Sequence, residues 1–400
     1  MGLNQTQSAE RVHIGFFGDR NAGKSSIVNA ITGQSTAVVS ELAGTTTDPV
    51  KKTMELLPIG PVVIIDTPGF DDEGILGEKR VMTTKSILNM TDIAVLVIDS
   101  SKDISNSGRE LITIFEENNI PYITVYNKSD LLDTVPANDE EKIYVSTLTG
   151  DGIHELKEMI GKMYSVIQDN DMHKLKYVAD FVHEGDYIIL VVPIDSAAPK
   201  GRLILPQQQA IREILDVGGR AIVVKENALK EALDSLGVRP KLVITDSQVF
   251  EEVNKLVPKE IPLTSFSILM ARYKGFLDMA YEGADVIGRL TDGDRVLICE
   301  GCTHHRQCDD IGTVKLPKWL NEYTGCELDY EFTSGHGFPE DLSGYKLIIH
   351  CGGCMINERE VRYRMKCAAN QGIPVSNYGI AIAYMKGILD RSTEIIYNLI

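Results

Sequence analysis

The sequence predicts an α/β protein of three domains, the first a doubly wound parallel sheet. Three observations carry that expectation. The chain has 400 residues, too many for one ordinary hydrophobic core. Short apolar runs alternate with amphipathic stretches, the pattern of buried strands and the helices that cover them. A glycine-rich loop follows the first apolar run directly, in a strand–loop–helix setting.

In the first domain, residues 1–168, the runs His13–Phe17, Val62–Ile65, Ile93–Ile98, Tyr122–Tyr126 and Lys142–Val145 read as parallel strands. The polar stretch Ser165–Gly185 reads as a linker. A smaller α/β domain, 177–261, starts with a strand at Tyr187–Pro193. Pro206 then opens a helix at a first-turn position, where proline has no hydrogen bond to lose. Strands at Ala221–Val224 and Leu242–Ile244 flank a further helical segment. Nothing there points to catalysis, so a structural or oligomerisation module is expected. In the third domain, 262–400, the strands Arg295–Cys299 and Tyr345–His350 each run into a cluster of cysteine and histidine. A helix at Pro317–Tyr323 lies between them. The chain closes with helix Val361–Asn370, strand Ile373–Ser376 and helix Ala381–Asp390.

Composition narrows the functional classes. Lys and Arg total 40 against 57 Asp and Glu, a net charge of −17. Such a surface repels phosphate backbones, and no basic run offsets it, so no nucleic-acid partner is expected. No apolar stretch approaches the roughly 20 residues that span a bilayer, so no membrane partner is expected either. The first residues carry no apolar signal core, although Gly2 and Thr6 fit a loose myristoylation spacing without a basic segment behind them. A cytoplasmic protein is the reading. Seven cysteines, an odd number gathered toward the C-terminal end, point to metal or redox chemistry rather than a disulfide framework.

The glycine-rich loop, Gly18-Asp19-Arg20-Asn21-Ala22-Gly23-Lys24-Ser25, has the spacing of a phosphate-binding loop. Its backbone N–H groups and the helix N-terminus behind it, with Ser26 in the first turn, surround phosphates. Lys24 reaches the β- and γ-phosphates, and the Ser25 hydroxyl ligates Mg²⁺. Three companions follow in order. Asp66-Thr67-Pro68-Gly69 ends a strand, where the carboxylate reaches Mg²⁺ through water and the Gly69 amide senses the γ-phosphate. Asn127-Lys128-Ser129-Asp130 ends another, and Asp130 accepts both hydrogen bonds that guanine offers and adenine lacks. Ser146 and Thr147 close the loop over the base. Thr46, within Gly44-Thr45-Thr46-Thr47-Asp48, lies where a switch segment supplies a second hydroxyl to Mg²⁺. A GTP/GDP site with Mg²⁺ is the expectation.

The third domain holds Cys302-Thr303-His304-His305 and His350-Cys351-Gly352-Gly353-Cys354. The CxxC spacing lets two thiolates reach one metal from a single turn. Three cysteines plus one histidine suit tetrahedral zinc and a [4Fe–4S] cluster equally, with zinc slightly ahead on spacing alone. Cys299, Cys308, Cys326 and Cys367 read as unligated thiols.

The nucleotide motifs resemble those of the tRNA-modification and Era type of GTPase. That resemblance implies a K⁺ ion held with help from Asn21 in place of an arginine finger. Phe70 stands where Ras-like proteins place the water-orienting glutamine, so slow intrinsic turnover is expected. Glu78 stands at the spacing of that group's catalytic glutamate. With Asn21 and Lys24 it completes the expected catalytic set.

The whole pattern is similar to that of the [FeFe]-hydrogenase maturation GTPases. This implies a P-loop GTPase domain, an α/β dimerisation domain and an α/β iron–sulfur cluster domain. It further implies that Cys302, Cys351 and Cys354 hold a [4Fe–4S] cluster whose fourth iron position is exchangeable. His304 is the first candidate for that position, with His350, Asp309 and Asp310 as rivals. The implied role is a homodimeric scaffold that carries a transient diiron subcluster, built with two radical-SAM maturases, to apo-[FeFe]-hydrogenase. The alternative is an RNA-modification or ribosome-assembly GTPase with a zinc-binding C-terminal domain.

Overall fold

The computed structural model describes residues 11–33, 50–57, 59–67, 87–171, 175–194, 203–301, 310–335 and 337–398. The chain divides into two compact units, residues 1–173 and 174–400. Among the described residues, no helix is long and apolar enough to cross a membrane.

The first unit is built on one six-stranded sheet in the order β2-β3-β1-β4-β5-β6. Its strands are β1 (Val12–Phe17), β2 (Val50–Leu56), β3 (Gly60–Asp66), β4 (Ile93–Asp99), β5 (Tyr122–Asn127) and β6 (Lys142–Tyr144). All pair in parallel except β2, which runs antiparallel to β3. The central strands read as unbroken apolar runs because both faces are covered. α1 (Lys24–Thr32) and α3 (Ile153–Asp171) bury one face through Ile27, Val28, Ile31, Leu156 and Ile160. α2 (Asn106–Glu117) buries the other through Leu111 and Phe115. The doubly wound expectation holds. β2 was not expected: Lys51, Thr53 and Glu55 are exposed, so this edge strand carries no continuous apolar run.

The expected linker at Ser165–Gly185 is corrected. α3 continues to Asp171, and Tyr177, Val178, Phe181 and Val182 are buried in the core of the second unit. Charged residues on either side and between them hide the apolar pairs Tyr177-Val178 and Phe181-Val182 from a composition-based reading.

The second unit holds two four-stranded sheets, which repeat one another. The first comprises β7 (Tyr187–Val191), β8 (Arg220–Val224), β9 (Leu242–Thr245) and β10 (Leu263–Ser265), ordered β8-β7-β9-β10. The other comprises β11 (Arg295–Glu300), β12 (Asp329–Ser334), β13 (Leu347–His350) and β14 (Val375–Asn377), ordered β12-β11-β13-β14. Every pairing is parallel. The expected boundary at 262 is therefore moved: β10 lies beyond it yet completes the earlier sheet.

Local chemistry repeats too. α4 (Leu205–Asp216) and α9 (Leu316–Thr324) both start Leu-Pro. The segments entering β7 and β11 are fixed alike, with His183 N–H donating to Asp186 and Thr291 N–H to Asp294. α5 (Leu229–Ser235) and α6 (Phe250–Leu256) belong to the first half, and α10 (Glu358–Asn370) to the second. After its last strand, each half carries two helices broken at Lys-Gly. These are α7 (Phe266–Tyr273) and α8 (Leu277–Ala284) around Gly275, then α11 (Tyr378–Met385) and α12 (Leu389–Tyr397) around Gly387. Both glycines have positive φ, 78° and 66°, so the single helix expected at Ala381–Asp390 is two.

These helices are exchanged. α8 packs on β14, where Ser376 Oγ donates to the Ala280 carbonyl, and α12 packs on β10. At the crossing, Ser267 Oγ donates to Asn377 Oδ1. Equivalent segments meeting each other is what an approximate two-fold axis between the halves produces. One core consequently runs from Tyr177 to Ile396. The chain is an α/β protein of three sheet domains, two of them fused into one unit.

Candidate nucleotide and metal centres

The phosphate-binding loop lies between β1 and α1. Gly18 has φ 136° and lies against the Val97 carbonyl of β4, so a side chain there meets backbone. Gly23, at the N-cap of α1, offers no side chain to the first-turn amides, which are left for an anion. Lys24 is buried and its Nζ donates to the carbonyls of Gly18 and Asp19 at 2.8 and 2.9 Å, closing the loop on itself. Asn21, at the exposed crest, holds φ 63°. Ser25 and Ser26 are exposed in the first turn.

Ser25 Oγ donates to Asp66 Oδ2 at 2.6 Å, although 41 positions separate them. Asp66 Oδ1 is buried and has no hydrogen-bond partner among the described residues. A hydroxyl and a carboxylate oxygen so placed fit the donor set of Mg²⁺, a hard cation that takes oxygen ligands. Thr46, Gly69 and Glu78 lie outside the described residues.

The base-recognition segments converge on the same end of the sheet. Asn127 Nδ2 donates to the Ala22 carbonyl at 3.0 Å, and its Oδ1 accepts from the Thr147 amide at 3.3 Å. This side chain ties the phosphate loop to the base loop. Ser146 Oγ donates to Asp130 Oδ1 at 2.5 Å and accepts from the amides of Leu148 and Thr149, which orients the Asp130 carboxylate. Lys128 has φ 65°, and its Nζ meets Asp99 Oδ2 at 2.5 Å. Burial alone would raise the Asp99 carboxyl, but hydrogen bonds from Lys128 and Ser101 outweigh it and hold it down at about 2. Asp99 was missed from the sequence. Its signal is the acidic residue closing the apolar run of β4, beside the strand that ends at Asn127.

The cysteines lie in the last sheet. β11 and β13 are the neighbours at which its strand order reverses, and open α/β sheets bind ligands outside the carboxyl ends of such strands. Cys302 follows β11 in sequence, and Cys351 and Cys354 follow β13. Gly301, immediately before Cys302, donates its N–H to Cys351 Sγ at 3.0 Å, and Gly353 donates to the same sulfur at 3.4 Å. A Cβ on Gly352 would meet Met270 at 3.2 Å, so α7 packs directly against the loop. Burial raises both thiols, Cys354 to about 12. The neighbouring Cys351 adds to that rise, and the Lys274 ammonium opposes it. Thiols so buried ionise when a cation offsets the cost. Sulfur donors on a glycine-rich loop, already accepting two amide hydrogen bonds, fit a thiolate-bound metal or cluster. Cys302 and His304, with His305, Cys308 and Asp309, lie outside the described residues. Among the described residues, no three His, Cys, Asp or Glu gather closely enough to hold a metal ion.

Of the rivals for the fourth position, His350 and Asp310 lie among the described residues, and both have hydrogen-bond partners. His350 Nδ1 lies 2.6 Å from the Cys351 carbonyl and Nε2 lies 3.2 Å from Arg364 Nη1. Burial, reinforced by the Arg364 charge, lowers the ring to about 3. The neutral imidazole donates from Nδ1 and accepts at Nε2, so neither nitrogen is left for a metal. Asp310 accepts from the amide and hydroxyl of Thr313, capping the wide helical turn Ile311–Lys315. Behind His350, fully buried Arg364 donates to Glu360 Oε1 from Nε and Nη2, both at 3.0 Å, and to the Gly335 carbonyl. This network was also missed. Its one sequence signal is Glu360 four residues before Arg364 on α10. Cys299 is buried in the core, as expected of an unligated thiol.

Comparisons with known proteins match each part. The family model of the hydrogen maturase F dimerization domain matches residues 177–275, and that of the hydrogen maturase F tetramerization domain matches 278–395. A 50S ribosome-binding GTPase model matches 13–128. The tRNA modification GTPase MnmE of Legionella pneumophila (strain Paris) is 39% identical over 145 residues, which cover 36% of this chain and 32% of that protein. GTPase Der of Kosmotoga olearia is 32% identical over 182 residues, covering 41% and 40%. The chain thus matches about a third of the length of the first of these relatives. The solved structure of Era from Aquifex aeolicus is 21% identical, covering 56% of this chain and 98% of that one, at a TM-score of 0.32.

Proposed function

The chain belongs to the hydrogen maturase F family, and from that premise we propose that it is a metallocluster scaffold and carrier governed by its GTPase domain. Cys302, Cys351 and Cys354 hold a [4Fe–4S] cluster, with His304 the candidate at the fourth iron. The cargo is the diiron subcluster, received from two radical-SAM maturases and passed to apo-[FeFe]-hydrogenase. The observation that carries this reading is the Gly301 amide on Cys351 Sγ at the carboxyl ends of β11 and β13. It brings the backbone next to Cys302 within hydrogen-bond reach of the CxxC loop. Three thiolates on a four-iron cluster leave one metal open to an exchangeable ligand, which a carrier requires.

In the first unit, the amides of the phosphate loop and Lys24 bind the GTP phosphates, and Asp130 selects guanine. Ser25 and Asp66, with Thr46, would hold Mg²⁺, which when bound offsets phosphate charge. Asn21 would help hold K⁺, Gly69 would sense the γ-phosphate, and Glu78 would orient water. Without a water-orienting glutamine, hydrolysis is slow and K⁺-stimulated, and equal rates in K⁺ and Na⁺ would remove Asn21 from the mechanism. The protein acts in the cytoplasm as a homodimer through its middle domain. Supporting this, β8 is an edge strand with the half-exposed apolar residues Ala221, Ile222 and Val224 and the exposed Val223.

Anaerobic purification tests the central claim. A brown protein absorbing near roughly 400 nm, with about four iron per chain, is expected. Replacing Cys302, Cys351 or Cys354 by Ala abolishes the colour and leaves GTP binding intact. Colourless protein with one stoichiometric zinc sinks the scaffold in favour of a GTPase with a structural zinc.

A further inference from the structure

We infer that His350 and Arg364 form a positioning pair behind the cysteine loop, in which His350 fixes the Cys351 peptide and Arg364 turns a buried positive charge toward the metal–thiolate centre. This rests on the cysteine loop being a metal site.

The two halves of the unit act as an internal control. Thr245 and His350 occupy the same place: each ends the third strand of its half, paired with Val191 of β7 and Cys299 of β11 respectively. The next residue in each half donates its N–H to that partner's carbonyl, Asp246 to Val191 and Cys351 to Cys299. Asp246 therefore stands where the other half has Cys351. The carbonyl of this residue is served from the strand end in both halves. Thr245 Oγ1 donates to the Asp246 carbonyl at 3.2 Å, and His350 Nδ1 donates to the Cys351 carbonyl at 2.6 Å. Both side chains are fully buried.

A hydroxyl is thus enough to hold this peptide in the half without cysteine. Where the cysteines stand, an imidazole replaces it and continues to Arg364, whose Nη1 lies 3.2 Å from His350 Nε2. Burying a guanidinium is costly unless it is paired and hydrogen-bonded, and Glu360 on the same helix meets that need. The direction of the pair is what bears on the centre. Glu360 takes the Nε–Nη2 edge of the planar fork, which leaves Nη1 on the opposite edge facing the imidazole. The positive end is therefore turned to the cysteine loop and the negative end away from it. Burial raises the Cys351 thiol, and the Arg364 charge is among the influences that oppose the rise. Thiolates gathered on a metal concentrate negative charge, so a fixed positive charge behind them stabilises the loaded loop and favours a reduced cluster.

The test uses the full-length chain, prepared without oxygen, in four variants: His350→Leu, His350→Gln, Thr245→Val and the double variant Arg364→Gln/Glu360→Gln. Circular dichroism checks that each folds. Co²⁺ binding to the apo-protein is followed by thiolate–cobalt absorption, and the reconstituted cluster is titrated for its midpoint potential. His350→Leu should weaken Co²⁺ binding by about 10- to 100-fold, the usual effect of losing a group that supports a metal ligand. His350→Gln should restore most of it, since a carboxamide can donate to the Cys351 carbonyl and accept from Arg364. Thr245→Val should leave both readouts unchanged. The double variant exchanges the ion pair for two amides and strands no charge, so it should unfold much as wild type does while its cluster potential moves downward. A folded double variant with the wild-type potential overturns the inference, as does His350→Leu with wild-type Co²⁺ affinity. His350→Gln as weak as His350→Leu overturns it too, and marks the imidazole as a metal ligand. Should either His350→Leu or the double variant fail to fold, the other decides. Equal Co²⁺ binding by wild type and Cys351→Ala would instead overturn the metal site itself.

Discussion

Arg364→Met should be the most destabilising single change near the cysteine loop that leaves every cysteine in place. Arg364 is fully buried, and its guanidinium serves three acceptors: Glu360 Oε1 twice at 3.0 Å, the Gly335 carbonyl at 2.5 Å and His350 Nε2 at 3.2 Å. Methionine fills much of the volume but donates nothing. Removing one partner of a buried ion pair costs about 3–5 kcal/mol, because the remaining charge is stranded. For a unit of this size, about 2–4 °C per kcal/mol converts this to a fall in melting temperature on the order of 6–20 °C. The double variant Arg364→Met/Glu360→Leu removes both charges and should recover most of the loss. Thermal and urea unfolding of the reduced apo-protein, followed by circular dichroism, measures all three proteins. GTP binding, a property of the first unit, should not change. A single-variant loss below about 1 kcal/mol would refute the argument, since a well-hydrated pair costs no more than that. So would a double variant as unstable as the single.

Three further outcomes concern the nucleotide site. Ser25→Ala removes the hydroxyl that meets Asp66, so GTP affinity should fall at least about tenfold in Mg²⁺ but stay unchanged in EDTA, as titration calorimetry would show. Asp130→Asn exchanges an acceptor for a donor, so preference should move from GTP toward xanthosine triphosphate by about 10²-fold or more; competition binding that still favours GTP would contradict the assignment. Asp99 has its carboxyl held down at about 2, so its contribution to stability is present above the unfolded value of 3.8 and is lost as pH falls through 2. Acid unfolding of Asp99→Asn should therefore show a shallower loss across that window than wild type.

Much of the first unit was legible because each piece of its site is local. A phosphate loop needs glycines and a lysine at fixed spacing, and strands buried on both faces need unbroken apolar runs. His13–Phe17 and Ile93–Ile98 therefore announced themselves. β2 did not, since an edge strand with one wet face needs no such run. Tyr177, Val178, Phe181 and Val182 were hidden for a related reason: two apolar pairs spaced by charges look polar on average but are enough to anchor a core. His350 shows the limit for site residues. A histidine beside a CxxC pair has the sequence look of a ligand, and only its neighbours reveal that both nitrogens are engaged.

The sequence by itself determined the nucleotide-binding motifs and the CxxC pair, because both depend on residue types at short, fixed separations. Only the tertiary structure decided that the second and third sheets repeat one another and exchange their closing helices. Corresponding residues such as Glu251 and Ile356, each six positions beyond the third strand of its half, differ in type, and segments of different length separate them from Lys274 and Lys386, which do not differ. Strand order and reciprocal contacts survive such changes because the packing of parallel strands and helices tolerates substitution where a linear pattern does not. That exchange is also what brings a lysine from one half to the cysteine loop of the other.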